Sequence, residues 1–224
     1  MDPEGRAVMK NFSSLVFKGL SESELGQMMD SACARSCSFA KGSFIFHAGD
    51  TVQEMGVVQK GSVNIENIDP WGNKSILSNV PAGQVFAETY ALCQEPLMVN
   101  AVAAENCEIL FLNLQALMSE HNAGSSWYMK IMQNMLRIAV QKNLILSHRI
   151  FCTTAKTVRG RLLTYLSAMA VKKGSSTFQV PFDRQQMADY LNLDRSALSK
   201  ELGRMRDEGM IEFYKNTFRL KVKI

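Results

Sequence analysis

Residues 182–224 constrain this chain most: their caps, glycine stop and changing periodicity admit two short helices followed by a two-stranded ribbon, and little else. Asp183 suits a helix N-cap, and Met187, Ala188 and Leu191 share one side of a helix over about 184–191. Asn192 and Leu193 then turn the chain. Asp194 caps a second helix in which Leu198, Leu202 and Met205 recur at intervals of four and three, so that side packs inward. The opposite side carries Arg195, Ser196, Ser199, Lys200 and Gly203. Long donors beside small residues, free of bulky apolar groups, suit a helix that enters the major groove of duplex DNA. Gly209 ends this helix, and residues 210–214 and 217–222, joined at Lys215 and Asn216, read as a wing. The stripe Arg195, Ser196, Ser199 and Lys200 is expected to face DNA, with Arg195 and Lys200 donating to guanine edges and Ser199 to phosphate or a base edge. Asp183 and Arg184 are expected to approach the backbone.

Charge is divided in the same sense. Residues 151–224 hold 14 Lys or Arg against 7 Asp or Glu, whereas residues 1–150 hold 11 against 14. Neutralising phosphate supplies much of the affinity of DNA-binding modules, so the basic end binds and the mildly acidic part does something else. No run of about 18 apolar residues occurs, and residues 1–12 lack an apolar stretch, so neither a membrane span nor export is expected. Five cysteines, an odd number without a Cys-x-x-Cys pair, fit a reducing compartment, and the expected location is the cytoplasm.

Between residues 39 and 114 the pattern changes to short alternating segments at 43–46, 56–59, 62–67, 74–80, 100–103 and 107–113. Turn signals separate them at Gly42, 48–50, Gly61, 69–73 and 81–83. A small β-roll is expected, flanked by a helix over 21–34 with Ser21 and Glu24 at capping-box spacing and another over 114–120.

The order of four motifs resembles the CRP/FNR family of bacterial transcription regulators: KGSFIFHAGD at 41–50, QKGSV at 59–63, PAGQVFAETYAL at 81–92 and MADYLNLDRSALSK at 187–200. The resemblance implies an α+β chain: an N-terminal β-roll (a double-stranded β-helix of the cyclic-nucleotide-binding type) joined by a long dimerisation helix to a C-terminal winged helix-turn-helix. Expected boundaries are 1–122, 123–153 and 154–224. Residues 81–92 match that family's phosphate-binding cassette, with Glu88 at the position whose carboxylate meets a nucleotide. Where those members place an Arg for the cyclic phosphate, this chain has Val99. A buried phosphate would lack its counter-charge, so the expected effector is a small molecule other than cyclic AMP, with no cofactor. Its surroundings are expected to be Phe86, Ala87, Glu88, Thr89, Tyr90, Val99 and Asn100, with Met98 as a further wall. Leu146 and Ser147 stand where cyclic-nucleotide members reach the ligand across the dimer with a Thr-Ser pair.

Residues 126–151 contain neither Gly nor Pro and read as one helix. Met132, Leu136, Ala139, Asn143, Leu146 and Ile150 follow heptad spacing, a seam on which two copies pair; Ala139 permits close approach and Asn143 sets register. A second row, Ile131, Met135, Ile138 and Ile145, is expected to cover the roll. The implied protein is a homodimer on a palindromic operator, touching RNA polymerase if it activates. A nucleotide- or partner-binding sensor module without specific DNA binding and a redox-responsive regulator are the alternatives. Cys33 and Cys37, one turn apart on an expected helix, lack further cluster ligands, and His47, His121 and His148 show no metal spacing, so no metal is expected. No nucleophile elbow or P-loop occurs, and catalysis is not expected.

Overall fold

The computed structural model describes residues 14–68 and 74–221. The expected turn at 69–73, the chain start at 1–12 and Val222 of the wing lie outside the described residues. Two compact units divide at Ala139/Val140, within one continuous helix.

In the first unit, α1 (Glu22–Ser31) begins with a reciprocal capping box: Ser21 Oγ accepts from Glu24 N at 3.2 Å and Glu24 accepts from Ser21 N at 2.8 Å. The strands are β1 (Arg35–Phe39), β2 (Phe44–Phe46), β3 (Glu54–Lys60), β4 (Ser62–Ile68), β5 (Lys74–Pro81), β6 (Val85–Phe86), β7 (Asn100–Ala103) and β8 (Cys107–Asn113). They form two four-stranded antiparallel sheets, β1-β8-β3-β6 and β2-β7-β4-β5. Helix α2 (Glu88–Cys93) follows β6, and α3 (Leu114–Leu117) follows β8. The strand period of two explains how the first sheet buries both faces. Val58, Ile109 and Phe111 meet Val63, Ala101 and Ala103 between the sheets, while Met55, Val57, Leu110 and Leu112 pack on helices. Gly42, Gly49, Gly61 and Gly83 turn with φ of +84°, +94°, +76° and +86°. At Gly61 a Cβ would lie 2.6 Å from the Asn106 carbonyl oxygen, so only glycine fits.

The long helix α4 (Tyr128–Thr153) starts in this unit. Ile131 and Ile138 are buried against the roll's helices, Met135 packs with them, and Asn134 donates to Val16 O at 2.9 Å and Lys18 O at 2.8 Å. Two expectations need correction. Met132 packs against this core rather than lying free on the seam, because at 100° per residue it shares the arc of Ile131 and Met135. Ile145 is 60% exposed and does not belong to the roll's core. Cys33 and Cys37 are not on one helix either: α1 ends at Ser31, Cys33 turns at φ +48°, and Cys37 lies in β1.

Lys130 Nζ donates to both carboxylate oxygens of Glu24, at 2.8 and 2.7 Å. This pairing, with the Ser21 N–H, holds the Glu24 carboxyl at about 2 against its ordinary 4.5. The folded value lies below the unfolded one, so this stabilisation is complete above about pH 4.5 and disappears as pH falls toward 2. Lys130→Met is therefore expected to move the acid-unfolding midpoint of the roll to higher pH, read by circular dichroism. Superimposable acid titrations would contradict it.

In the second unit, α4 ends and is followed by α5 (Val158–Lys173), β9 (Thr177–Gln179), α6 (Arg184–Tyr190), α7 (Arg195–Asp207), β10 (Ile211–Tyr214) and β11 (Thr217–Leu220). The three strands pair in the order β10-β11-β9. A single core joins Leu162, Tyr165 and Leu166 of α5 to Met187, Leu198, Leu202, Met205, Ile211 and Phe218. Among the described residues, no helix is long and apolar enough to cross a membrane.

Candidate nucleic-acid interface

Local capping defines both helices of the interface. Asp183 accepts from Gln186 N at 2.8 Å, and the Gln186 side chain accepts from Asp183 N at 3.0 Å. Helix α6 closes with a Schellman turn: Leu193 N donates to Ala188 O at 2.9 Å and Asn192 N to Asp189 O at 3.3 Å, with Asn192 at φ +50°. One residue later Asp194 caps α7 by accepting from Ala197 N at 2.9 Å. The Ser196 hydroxyl, then the Ala197 N–H, lower the Asp194 carboxyl from its ordinary value. The far end repeats the device, with Gly209 at φ +74° and Met210 N donating to Met205 O at 2.9 Å.

The inner side of α7 is wholly buried at Leu198, Leu202 and Met205, and the outer side exposes Arg195, Ser196, Ser199 and Lys200. A Cβ on Gly203 would meet nothing within 4 Å, so that side of the helix is open. Neither Arg195 nor Lys200 is engaged in an ion pair among the described residues. Behind the helix, Arg159 donates to Glu201 and, through both terminal nitrogens, to Glu208 at 2.7 and 2.8 Å. Glu208, then Glu201, raise the Arg159 guanidinium above its ordinary value. The cations of α7 that face outward are therefore distinct from the one that anchors it.

Two of the expected DNA-facing residues have structural work within the module. The Arg184 guanidinium lies 5.0 Å from the Phe213 ring centre and 5.2 Å from that of Phe218, and donates to Lys215 O at 2.8 Å. Its pKa is pushed down by burial, and it ties α6 to the wing. Asp183 serves as the cap, and its negative charge repels phosphate. Sequence reading missed α5, although Leu162, Tyr165, Leu166, Met169 and Ala170 lie at helical spacing. It also missed the short strands β1, β6 and β9. Of the residues at the end of α4, it missed Arg149 and gave His148 no structural role. His148 is half-buried, with Nδ1 3.0 Å from Tyr190 Oη.

The residues expected around an effector differ in exposure. Ala87 adopts φ +62° at the start of α2, uncommon for a residue with a Cβ and the kind of strain that gathers at binding sites. Glu88 is buried beside it, Thr89 is exposed, and Tyr90 and Val99 are half-buried. Asn100 is buried and accepts from Ala48 N at 2.8 Å. Phe86 is core rather than wall: its ring packs where Gly56 has no side chain and lies 6.0 Å from Phe46. Met98 is 79% exposed. Leu146 and Ser147 are exposed on α4 in the second unit, where Ser147 Oγ donates to Asn143 Oδ1 at 3.2 Å. Among the described residues, no three His, Cys, Asp or Glu side chains converge to hold a metal ion.

A cyclic nucleotide-binding domain model matches residues 36–122 and a Crp-like helix-turn-helix domain model matches residues 160–223. Together they cover more than half of the chain. Electron transport regulator A of Shewanella oneidensis is 25% identical over 200 residues, 86% of this chain and 77% of that protein. The transcriptional activator protein anr of Pseudomonas aeruginosa is 26% identical over 191 residues, 82% of this chain and 75% of that protein. Among solved structures, the c-di-GMP-responsive global regulator CLP of Xanthomonas campestris shares the fold, with TM-score 0.55 and 15% identity, over 91% of this chain and 100% of that one. An outward basic face on a capped second helix, a wing beside it and a sensor roll ahead of it are thus matched in order, and the chain belongs to the CRP/FNR family of transcription regulators, which bind DNA and are not enzymes.

Proposed function

We propose that the protein acts as a homodimer that reads a palindromic operator under the control of a small-molecule effector other than cyclic AMP. The observation that carries this reading is the apolar row left open on α4. Leu136, Leu146 and Ile150 are 65%, 60% and 66% exposed, and Ala139 and Asn143 stand between them at heptad spacing. Val140 and Leu144 widen the row. An apolar stripe of this length is costly in water, and its 3-4-3-4 spacing suits a second copy of the same helix. Two-fold pairing would place two α7 helices on successive major grooves, roughly 34 Å apart. The functional division is a sensor at 1–122, a coupling helix at 123–153 and a DNA module at 154–224.

The sensor's ligand would meet Ala87, Glu88, Thr89, Tyr90, Val99 and Asn100, with Leu146 and Ser147 contributed from the long helix. A carboxylate at Glu88 and an apolar Val99 favour a ligand without a phosphate at that position. Such a regulator would work in the cytoplasm and, if it activates, touch RNA polymerase. At the groove Arg195 and Lys200 donate to base edges, with Ser196 and Ser199 beside them, while Asp183 and Arg184 hold the module's frame near the DNA backbone.

Selection of duplexes from a random pool by the wild-type protein tests this directly. The selected sequence is expected to be a palindrome of two half-sites. Arg195→Ala is expected to weaken binding by about 1–3 kcal/mol and to relax preference at one base pair of each half-site. A selected sequence without two-fold symmetry, or an unchanged preference in the variant, would contradict the reading.

A further inference from the structure

We propose that Arg149 is a positioning residue for sequence reading: rooted near the end of α4, it grips the turn between α6 and α7 and sets the attitude of the recognition helix. The inference rests on the reading of Arg195, Ser199 and Lys200 as the base-contacting face. Arg149 Nε donates to Tyr190 O at 3.1 Å, while Nη2 donates to Asp189 O at 3.1 Å and to Asn192 Oδ1 at 3.3 Å. Its guanidinium lies 5.8 Å from the Tyr190 ring centre. One residue earlier, His148 holds the hydroxyl of the same tyrosine, and Cys152, farther along, is fully buried in the module's core. The Tyr190 ring is itself packed between Phe182 and Tyr165, at 4.9 and 5.6 Å.

The acceptors explain why a guanidinium stands there. Asp189 and Tyr190 are the last residues of a short helix, where carbonyls carry partial negative charge, and Asp189 O already accepts the Asn192 N–H of the turn while keeping a second lone pair for the guanidinium. A fixed cation with donors in a fork satisfies several of them at once. Asn192 holds the left-handed position where glycine is usual, and the oxygen of its side chain is one of the three acceptors.

A second guanidinium serves the other half of the turn. Arg161 of α5 donates to Leu191 O at 3.1 Å and Asn192 O at 2.8 Å. Both lie in the second unit, Arg161 on α5 and Arg149 on α4, the helix whose first turns belong to the first unit. The gripped turn lies immediately before Asp194, the cap of α7. A shift of α4 therefore reaches the base-reading side chains through Arg149, and loss of Arg149 leaves them intact but no longer aimed.

The test uses the full chain, a duplex selected by the wild-type protein, a scrambled duplex of equal length, and anisotropy titrations at several salt concentrations. Arg149→Gln is expected to lower affinity for the selected duplex by about 10-fold or more, since hydrogen bonds to a charged group are lost. Affinity for the scrambled duplex, set by phosphate charge, should stay within about twofold, and the salt slope should be unchanged. Arg149→Lys should not restore selectivity, because an ammonium cannot bridge acceptors arranged for a fork. Arg161→Gln should instead lower the thermal midpoint of the module. Proportional loss on both duplexes with a reduced salt slope would make Arg149 a phosphate contact and overturn the proposal. Full restoration by lysine, or unaltered selectivity of Arg149→Gln, would also overturn it. A wild-type protein that selects no sequence would overturn the base-reading premise and this proposal with it.

Discussion

Leu146→Glu is expected to leave each subunit folded, to separate the dimer and to lower affinity for a two-half-site operator by about 100- to 10,000-fold, the range lost when two linked contacts become independent. Leu146 is 60% exposed in the single chain, so a glutamate there disturbs little of the subunit's own packing. In a paired seam the same substitution would set two carboxylates against each other in a desolvated stripe beside Asn143 and Ile150, which is strongly unfavourable. Sedimentation equilibrium should then show a monomer with wild-type circular dichroism. Anisotropy should show similar affinities for a full operator and a half-site. A variant that stays dimeric with unchanged operator binding would place the subunit contact elsewhere.

Leu202→Ala is expected to cost about 2–5 kcal/mol, because it empties a site in a close-packed core. Leu202 is fully buried in the core shared by α5 and the wing strands, on the side of α7 opposite Lys200. The loss falls on the second unit, so thermal unfolding should show its transition lowered while that of the roll stays in place. DNA binding should vanish at the temperature where the module melts, without any change to a DNA-facing side chain. Ser199→Ala, on the exposed side, should change stability by no more than about 0.5 kcal/mol. Equal thermal midpoints for Leu202→Ala and the wild type would show that this leucine does not hold the recognition helix.

The elements that were legible in advance are those whose cause is local. Asp183 and Asp194 cap helices because their carboxylates accept backbone N–H groups three residues on, and Gly209 stops one because it tolerates a left-handed φ. The β7 and β8 segments were readable as short apolar runs between turn residues, and Leu198, Leu202 and Met205 from their spacing. The short strands were not legible: β6 has two residues and β9 three, too few to show a period. Helix α5 was missed although its Leu162-to-Ala170 stripe lies at helical spacing and Thr157 accepts from Gly160 N as its cap.

The sites divide in the same way. The outward placement of Arg195, Ser196, Ser199 and Lys200 was legible because a helix face follows from residue spacing alone. The structural work of Arg184 was not readable, because its partners, Phe213 and Phe218, come from strands far along the chain. Phe86 looked like a pocket wall, but Gly56, 30 positions earlier, leaves the space that takes its ring into the core. Met132 and Ile145 exchanged their expected surroundings, since heptad spacing tells which residues share a side but not how far along the helix the roll extends.

By itself, then, the order of residues determined the caps, the helix sides, the glycine turns and the basic face that make this a DNA-binding regulator, because each depends on neighbours within about one or two turns. Only the tertiary structure decided that Arg149, Arg161 and His148 converge on the turn before the recognition helix, and which apolar residues of α4 are left open. Those outcomes depend on contacts between segments tens of residues apart, where carbonyls and ring faces come from another element and leave no periodic trace in the chain.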